Sequence, residues 1–390
     1  MSTNDFILGI NAFNIRAGGG VTHLIELLSH AEIQNYNFKK VIIWANNDVL
    51  NKIESKPWIE KVYTSNLNKG PVFKYFWLLF KSEKEYKQKN IDLLFIPGGT
   101  YLSKFRPFVT MNQNLLPFEN KEILRYGFSL LTIKFLFLKI TQTITNKNSN
   151  GIIFLTPYAK RIVLDYGFFN LNNKPSIIIP HGVNANIIHF PEKKIFRQDF
   201  TRNKPCRILY VSSIEVYKHQ WKIIEGINNL INEGYNIKLI FVGTPGSGSK
   251  LFNKAIKKFD PQLDFIEYHS NISYTEIKQF YIEADIGVFA SSCETFGMIL
   301  TESMNCSLPL IVSNRSSIPD VVGNCCLYFD PEEISSFMNS TRQMINSVDL
   351  RTKLAISAFE RVSGFTWQIA SNKSFNFFNN VINQYKYVQK

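Results

Sequence analysis

The segment Cys293-Glu294-Thr295-Phe296-Gly297-Met298-Ile299-Leu300-Thr301-Glu302 sets two carboxylates on either side of a glycine, with seven residues between them. It follows an apolar run, Ile286–Ala290, and opens a stretch expected to be helical to about Asn305. The first N–H groups of a helix have no intrahelical acceptor, so the amides of Gly297, Met298 and Ile299 form a natural phosphate site. Gly297 removes a side chain where a ligand must approach closely. Carboxylates accept hydrogen bonds, and a pair of them suits the several hydroxyls of a sugar. The residues alone leave a second reading open, in which Glu294 caps the helix and Glu302 faces water.

A cation stands in a comparable place. In Tyr210-Val-Ser-Ser-Ile-Glu-Val-Tyr-Lys218-His219 a strand ends in small residues and a lysine follows before the next helix. Such a lysine neutralises a diphosphate as a point charge; a solvated surface lysine is the bland alternative. Gly18-Gly19-Gly20 precedes another helix, and its amides offer a second phosphate cradle, with a flexible loop as the alternative. This is not the G-x-G-x-x-G fingerprint, and no acidic residue ends a second strand at the right distance, which disfavours a nicotinamide enzyme. Gly243-Thr-Pro-Gly-Ser-Gly-Ser-Lys250 fails as a P-loop because Ser249 separates Gly248 from the lysine. It reads as a loop after a strand.

These loops need rigid elements behind them. Short Ile/Val/Leu runs recur at Asp5–Asn11, Lys40–Ala45, Ile91–Ile96, Gly151–Leu155 and Ser176–Ile179, separated by helix-like segments. They read as parallel strands buried on both faces. A charged stretch with Pro191 and Pro205 reads as a linker, 186–205. A second series follows at Arg207–Ser212, Lys238–Gly243, Ile286–Ala290 and Leu310–Ser313, with an amphipathic helix over Lys222–Glu233. The expected fold is α/β, with two doubly wound Rossmann-like domains facing a central cleft: 1–185, then 206–370. Residues 371–390 form a helix expected to pack back on the first domain. In such sheets ligands bind at the carboxyl ends of the strands, where the loops above lie.

The 390 residues exceed one compact core, which stops growing at about 250–300 residues. The apolar fraction of 45% excludes a disordered chain. The formal charge of +13 suggests an anionic partner, although a codon bias toward Lys and Asn is an alternative origin. No clustered basic tract with aromatic platforms occurs, so nucleic acid is not expected. Five cysteines without a C-x-x-C pair argue against disulfides or zinc and for a reducing cytoplasm. The opening residues lack the pattern of a signal peptide.

Taken in order, these features resemble the retaining glycosyltransferases of family four, which have the GT-B fold. The most specific element is the E-x7-E motif, Glu294 to Glu302, with Phe296-Gly297 inside it. The resemblance implies that Glu294 contacts the transferred sugar, Glu302 the nucleotide ribose and Lys218 the diphosphate. Phe296, Gly297, Met298, Ile299, Ser213, Gly243, Gly19 and Gly20 fall on the donor side. Ser213 stands where an arginine is common. Pro180-His181-Gly182-Val183 matches the segment that ends the first domain, and Thr156–Lys160 the loop and helix before it. Gln113-Asn114-Leu115-Leu116-Pro117-Phe118 matches a stretch bordering the reacting centre, with Gln113 in the usual histidine position. Gln113 thus counts as catalytic without titrating, and Asn114 and His181 as acceptor-side.

The implied activity is transfer of a sugar from a nucleoside-diphosphate sugar, with retention, to an acceptor hydroxyl. The Q-N-x-L-P-F form resembles enzymes of bacterial surface-polysaccharide (O-antigen) assembly, whose acceptors are lipid-linked. The same fold with a soluble acceptor, or a non-catalytic sugar-binding relative, is the alternative. No D-x-D motif occurs, so neither metal nor cofactor is expected. Two greasy basic stretches, Phe73–Lys81 and Ile123–Ile140, nominate an anionic membrane surface as a further partner. The second is read as one helix with a largely polar stripe of Arg125, Ser129, Thr132, Leu136 and Lys139. Its alternative is a core helix. The expected location is the cytoplasm, peripheral on the inner face of the membrane.

Overall fold

The computed structural model describes residues 6–63, 77–167, 174–270 and 272–388. It divides into two units. One holds residues 1–123, 128–182 and 366–390, the other 124–127 and 183–365.

The first unit is built on a seven-stranded sheet of order β3-β2-β1-β4-β5-β6-β7. Its strands are β1 (Phe6–Asn11), β2 (Phe38–Trp44), β3 (Ile59–Val62), β4 (Leu93–Ile96), β5 (Phe108–Met111), β6 (Gly151–Phe154) and β7 (Ser176–Ile178). All pairings are parallel. The central strands β4, β5 and β6 are buried at every position, as continuous apolar runs require. The second unit holds a six-stranded parallel sheet, β10-β9-β8-β11-β12-β13. Its strands are β8 (Cys206–Val211), β9 (Ile237–Val242), β10 (Ile266–His269), β11 (Ile286–Phe289), β12 (Leu310–Ser313) and β13 (Leu327–Phe329). Both sheets have the strand order of a doubly wound Rossmann-like fold. β3, β5, β10 and β13 are additions to the strands read from sequence.

The last helix, Trp367–Val388, belongs to the first unit. Phe375 meets Phe38 edge-on and Phe378 lies against Phe95. Ser371 Oγ donates to the Leu27 carbonyl at 2.9 Å, pinning it to the helix Gly19–Ser29. At its start, a Cβ on Gly182 would lie 2.2 Å from the backbone nitrogen of Trp367, so no larger residue fits. Residues 186–205 lie within the second unit, where the buried Lys194 ammonium donates to the carbonyls of Tyr281, Ile282 and Ala284.

The stretch Ile123–Ile140 is not one helix. Asn120–Leu124 and Leu130–Asn148 are separate helices. Gly127 takes a left-handed φ of 57° between them, and Ser129 starts the second by accepting a hydrogen bond from Thr132 N–H. Arg125 therefore lies off that helix, paired with Glu332. Of the other greasy stretch, residues 73–76 lie outside the described residues.

Two histidines are sealed in the first unit. His23 Nδ1 lies 3.2 Å from His181 Nδ1, and both rings pack on Trp367. Burial pulls His23 down to about 4, and pulls His181 well below the usual range, aided by its neighbour. The unfolded chain takes up protons on these rings below about pH 6.5, whereas folded His23 resists them until about 4 and burial likewise holds His181 neutral. The contribution of His23 is complete above 6.5 and fades as pH falls toward 4. His23 alone is expected to cost about 2 kcal/mol at pH 5. Urea midpoints at pH 7.5 and 5.0 check this: the acid-induced drop should shrink in His23→Leu, and an unchanged drop refutes it.

Candidate functional site

β8 and β11 are neighbours at the point where the strand order of the second sheet reverses. Ligands bind at such switch points, beyond the carboxyl ends of the strands. The two loops that leave there, 212–219 and 290–297, hold Lys218 and Glu294. Lys218 Nζ donates to Glu294 Oε1, and the side chains are only 7% and 14% exposed. The ammonium also lies 4.6 Å from the centroid of the Phe289 ring. A buried charge is tolerated only when paired, so the two loops hold each other through these groups.

The backbone around the pair is fixed from several directions. Tyr210 OH donates to the Lys218 carbonyl at 2.6 Å and accepts from Ala290 N–H at 3.1 Å, so one buried tyrosine bridges both loops. Ser292 N–H donates to the Tyr217 carbonyl at 2.8 Å. Ser292 Oγ lies 2.9 Å from His219 Nε2. Burial, reinforced by the charges of Arg125 and Lys222, pushes His219 down to about 3, so this imidazole is neutral and serves as a strut. Glu294 N–H donates to Ser316 Oγ at 2.9 Å, and Ser317 Oγ donates to the Glu294 carbonyl at 2.8 Å. Tyr210, His219, Ser292, Ser316 and Ser317 were not among the sequence candidates, and nothing in their spacing marks them.

Gly297 follows with φ 86°, a left-handed conformation that disfavours any other residue. The helix Met298–Asn305 starts there, and no described side chain caps it. Gly297, Met298 and Ile299 are partly exposed, whereas Phe296 is buried edge-on to Phe365. Glu302 is buried and accepts from Tyr281 OH at 3.1 Å, so it does not face water. Glu294 engages Lys218, so its carboxylate is not spent on capping. Gly243 ends β9 against β8: a Cβ there would lie 2.0 Å from the Ser212 carbonyl oxygen. The Ser213 carbonyl accepts from Ser212 Oγ and from Gln220 Nε2.

In the first unit, Gln113 Nε2 donates to the Pro97 carbonyl at 3.1 Å, joining the exits of β4 and β5. Gly20 sits beside it: a Cβ there would lie 3.6 Å from Gln113 Oε1. Gly19 begins the helix Gly19–Ser29 after Gly18 at φ 66°. Asn114 is exposed and its Oδ1 accepts from Leu116 N–H at 3.0 Å. His181 lies buried against His23, as described above. Among the described residues no group of three or more His, Cys, Asp or Glu is placed to hold a metal ion.

Lys218→Met leaves Glu294 as an unpaired, largely buried carboxylate and is expected to cost about 3 kcal/mol. Lys218→Met combined with Glu294→Gln should recover most of that loss. Equal destabilisation in single and double variants, measured by urea unfolding, would contradict the pairing.

Residues 191–361 match the family described as Glycosyl transferases group 1. The chain is similar to O-antigen chain mannosyltransferase B of Escherichia coli, 25% identical over 112 residues, which is 29% of each chain. It is also similar to the GDP-mannose-dependent alpha-(1-6)-phosphatidylinositol dimannoside mannosyltransferase of Mycobacterium tuberculosis, 23% identical over 240 residues, covering 60% of this chain and 59% of that one. The chain thus spans less than two thirds of the length of these relatives. The solved sucrose-phosphate synthase from Thermosynechococcus elongatus superposes with a TM-score of 0.74 at 15% identity, over 97% of this chain and all of the other. Two parallel Rossmann-like sheets and this superposition give the chain the GT-B fold, and residues 191–361 within it carry a glycosyl transferases group 1 domain.

Proposed function

We propose that the protein transfers a sugar from a nucleoside-diphosphate sugar to an acceptor hydroxyl with retention at the anomeric carbon. The observation that carries this reading is the buried Lys218–Glu294 pair at the β8/β11 switch point, beside the uncapped start of the helix Met298–Asn305. An ammonium has three N–H donors, so Lys218 can hold Glu294 and still serve a phosphate oxygen. The amides of Gly297, Met298 and Ile299 supply further donors to the diphosphate. Glu294 accepts from hydroxyls of the transferred sugar, and Glu302 from the ribose.

The reaction is a front-side displacement. The bond from the anomeric carbon to the diphosphate oxygen breaks, the bond to the acceptor oxygen forms, and the departing diphosphate takes the acceptor proton. The protein contributes position and charge stabilisation. Gln113 donates a hydrogen bond and does not titrate, and no metal ion or cofactor enters this scheme. On the first unit Asn114 lies at the exposed exit of β5, open to an acceptor. A lipid-linked glycan of surface-polysaccharide assembly is the proposed acceptor, met at the cytoplasmic face of the membrane. The names of the two relatives, one for an O-antigen chain and one for a phosphatidylinositol glycoside, support it.

UDP-, GDP- and dTDP-sugars, screened by thermal shift and nucleotide release, test the reading. One donor class is expected to stabilise the protein and be turned over. Glu302→Ala should raise the donor Kd about tenfold, and Lys218→Ala should lower kcat by about 100-fold or more. Near wild-type kinetics in both variants would sink the assignment; stabilisation without release would make the protein a sugar-nucleotide binder.

A further inference from the structure

The helix Leu130–Asn148 is built inside out. Its buried residues are Phe135 and four polar ones, Thr141, Gln142, Thr145 and Asn146. Two of them are pinned to the chain on either side of β5: Tyr101 N–H donates to Thr145 Oγ1 at 2.8 Å, and Asn146 and Asn112 exchange amide hydrogen bonds at 3.0 and 3.3 Å. The outward face carries Leu130, Ile133, Leu136, Phe137, Ile140 and Ile144. At 100° per residue these fall on one stripe. Ile133 is 65% exposed and Ile140 60%. Phe128 and Leu124, just before the helix, are also exposed. Folding of the unit accounts for the polar face and leaves the apolar one unexplained, and a contiguous apolar patch of this kind marks an interaction surface.

Charge selects the occupant. From Ile123 to Leu164 there are six basic residues and no Asp or Glu. Lys134 stands beside the stripe and Lys147 at its carboxyl end, both exposed. Lysine stems can run along apolar surface while the ammonium reaches lipid phosphate. A symmetric contact with a second copy would set this basic face against itself, lysines facing lysines. The helix also cannot cross a bilayer, since no described helix is long and apolar enough. We propose that the outward face of Leu130–Asn148 is an interfacial docking surface for an anionic lipid bilayer, lying in the headgroup boundary with its polar face bolted to the sheet. This deepens the membrane-acceptor reading proposed above, on observations of the helix and its flanking residues that do not involve the donor site.

Co-sedimentation of the full chain with vesicles tests it, using phosphatidylcholine alone and phosphatidylcholine–phosphatidylglycerol at 7:3. Binding is expected with the anionic vesicles and should weaken about tenfold or more as salt is raised. The exposed triple variant Ile133→Gln/Phe137→Gln/Ile140→Gln should lose binding about tenfold or more while keeping the wild-type melting temperature and donor-induced thermal shift. Absence of binding at low salt, or undiminished binding by the variant, overturns the proposal. Sedimentation equilibrium supplies the rival outcome: a dimer in the wild type, abolished in the variant without vesicle binding, would assign the face to a second copy. Donor binding and vesicle binding are separate readouts, so loss of one does not count against the other.

Discussion

Lys218 and Glu294 are two charges in a nearly dry place, and that fact organises much of the second unit. A buried lysine or carboxylate without a partner costs several kcal/mol, so the loops that carry them must meet. Meeting requires that β8 and β11 be neighbours, which the reversed strand order provides. It also requires that the loop backbones hold still. Tyr210 ties one loop to the start of the other, and Ser316 and Ser317 hold Glu294 from the exit of β12. His219 is kept neutral by the same burial, so the cation paired with the carboxylate among the described residues is Lys218. The pair is thus held in place by the protein's own contacts.

The first unit solves a different problem. Its sheet is covered on one side by the last helix of the chain, whose phenylalanines pack on β2 and β4. The chain passes between units at 123–124, 127–128, 182–183 and 365–366. Gly182 and Trp367 are in backbone contact that excludes any Cβ, and the Trp367 ring packs on both His23 and His181. Two imidazoles with their Nδ1 atoms 3.2 Å apart need at least one of them neutral, which ties this cluster to pH.

The helix Leu130–Asn148 shows how a polar interior can be satisfied. The buried hydroxyls of Thr141 and Thr145 donate to backbone carbonyls and Asn146 pairs with the Asn112 amide, so most of the usual penalty for buried polar groups is offset. With those bonds made inside, its aliphatic and aromatic residues are left outside. A helix of this kind gains little from hydrophobic burial within the monomer, and its apolar surface is available to something else.

How much of this was legible in the residues is uneven, for physical reasons. The sequence by itself determined the central strands, because runs such as Gly151–Phe154 and Leu310–Ser313 are apolar on both faces and suit nothing but a buried sheet. It determined that Gly297 opens a helix with a carboxylate on either side, and that Lys218 follows a strand end. Edge strands such as β3 and β13 escaped because they are short and half-buried, with little pattern to see. The tertiary structure alone decided that Glu302 is buried on Tyr281, that Lys218 meets Glu294, and that Tyr210 and the Ser316–Ser317 turn hold them. Those contacts join residues as many as 76 or 80 positions apart, and local spacing carries no record of them. The same holds for the helix Leu130–Asn148. Periodicity shows that it has two faces, but which one turns inward depends on Asn112 and Tyr101, residues 34 and 44 positions away.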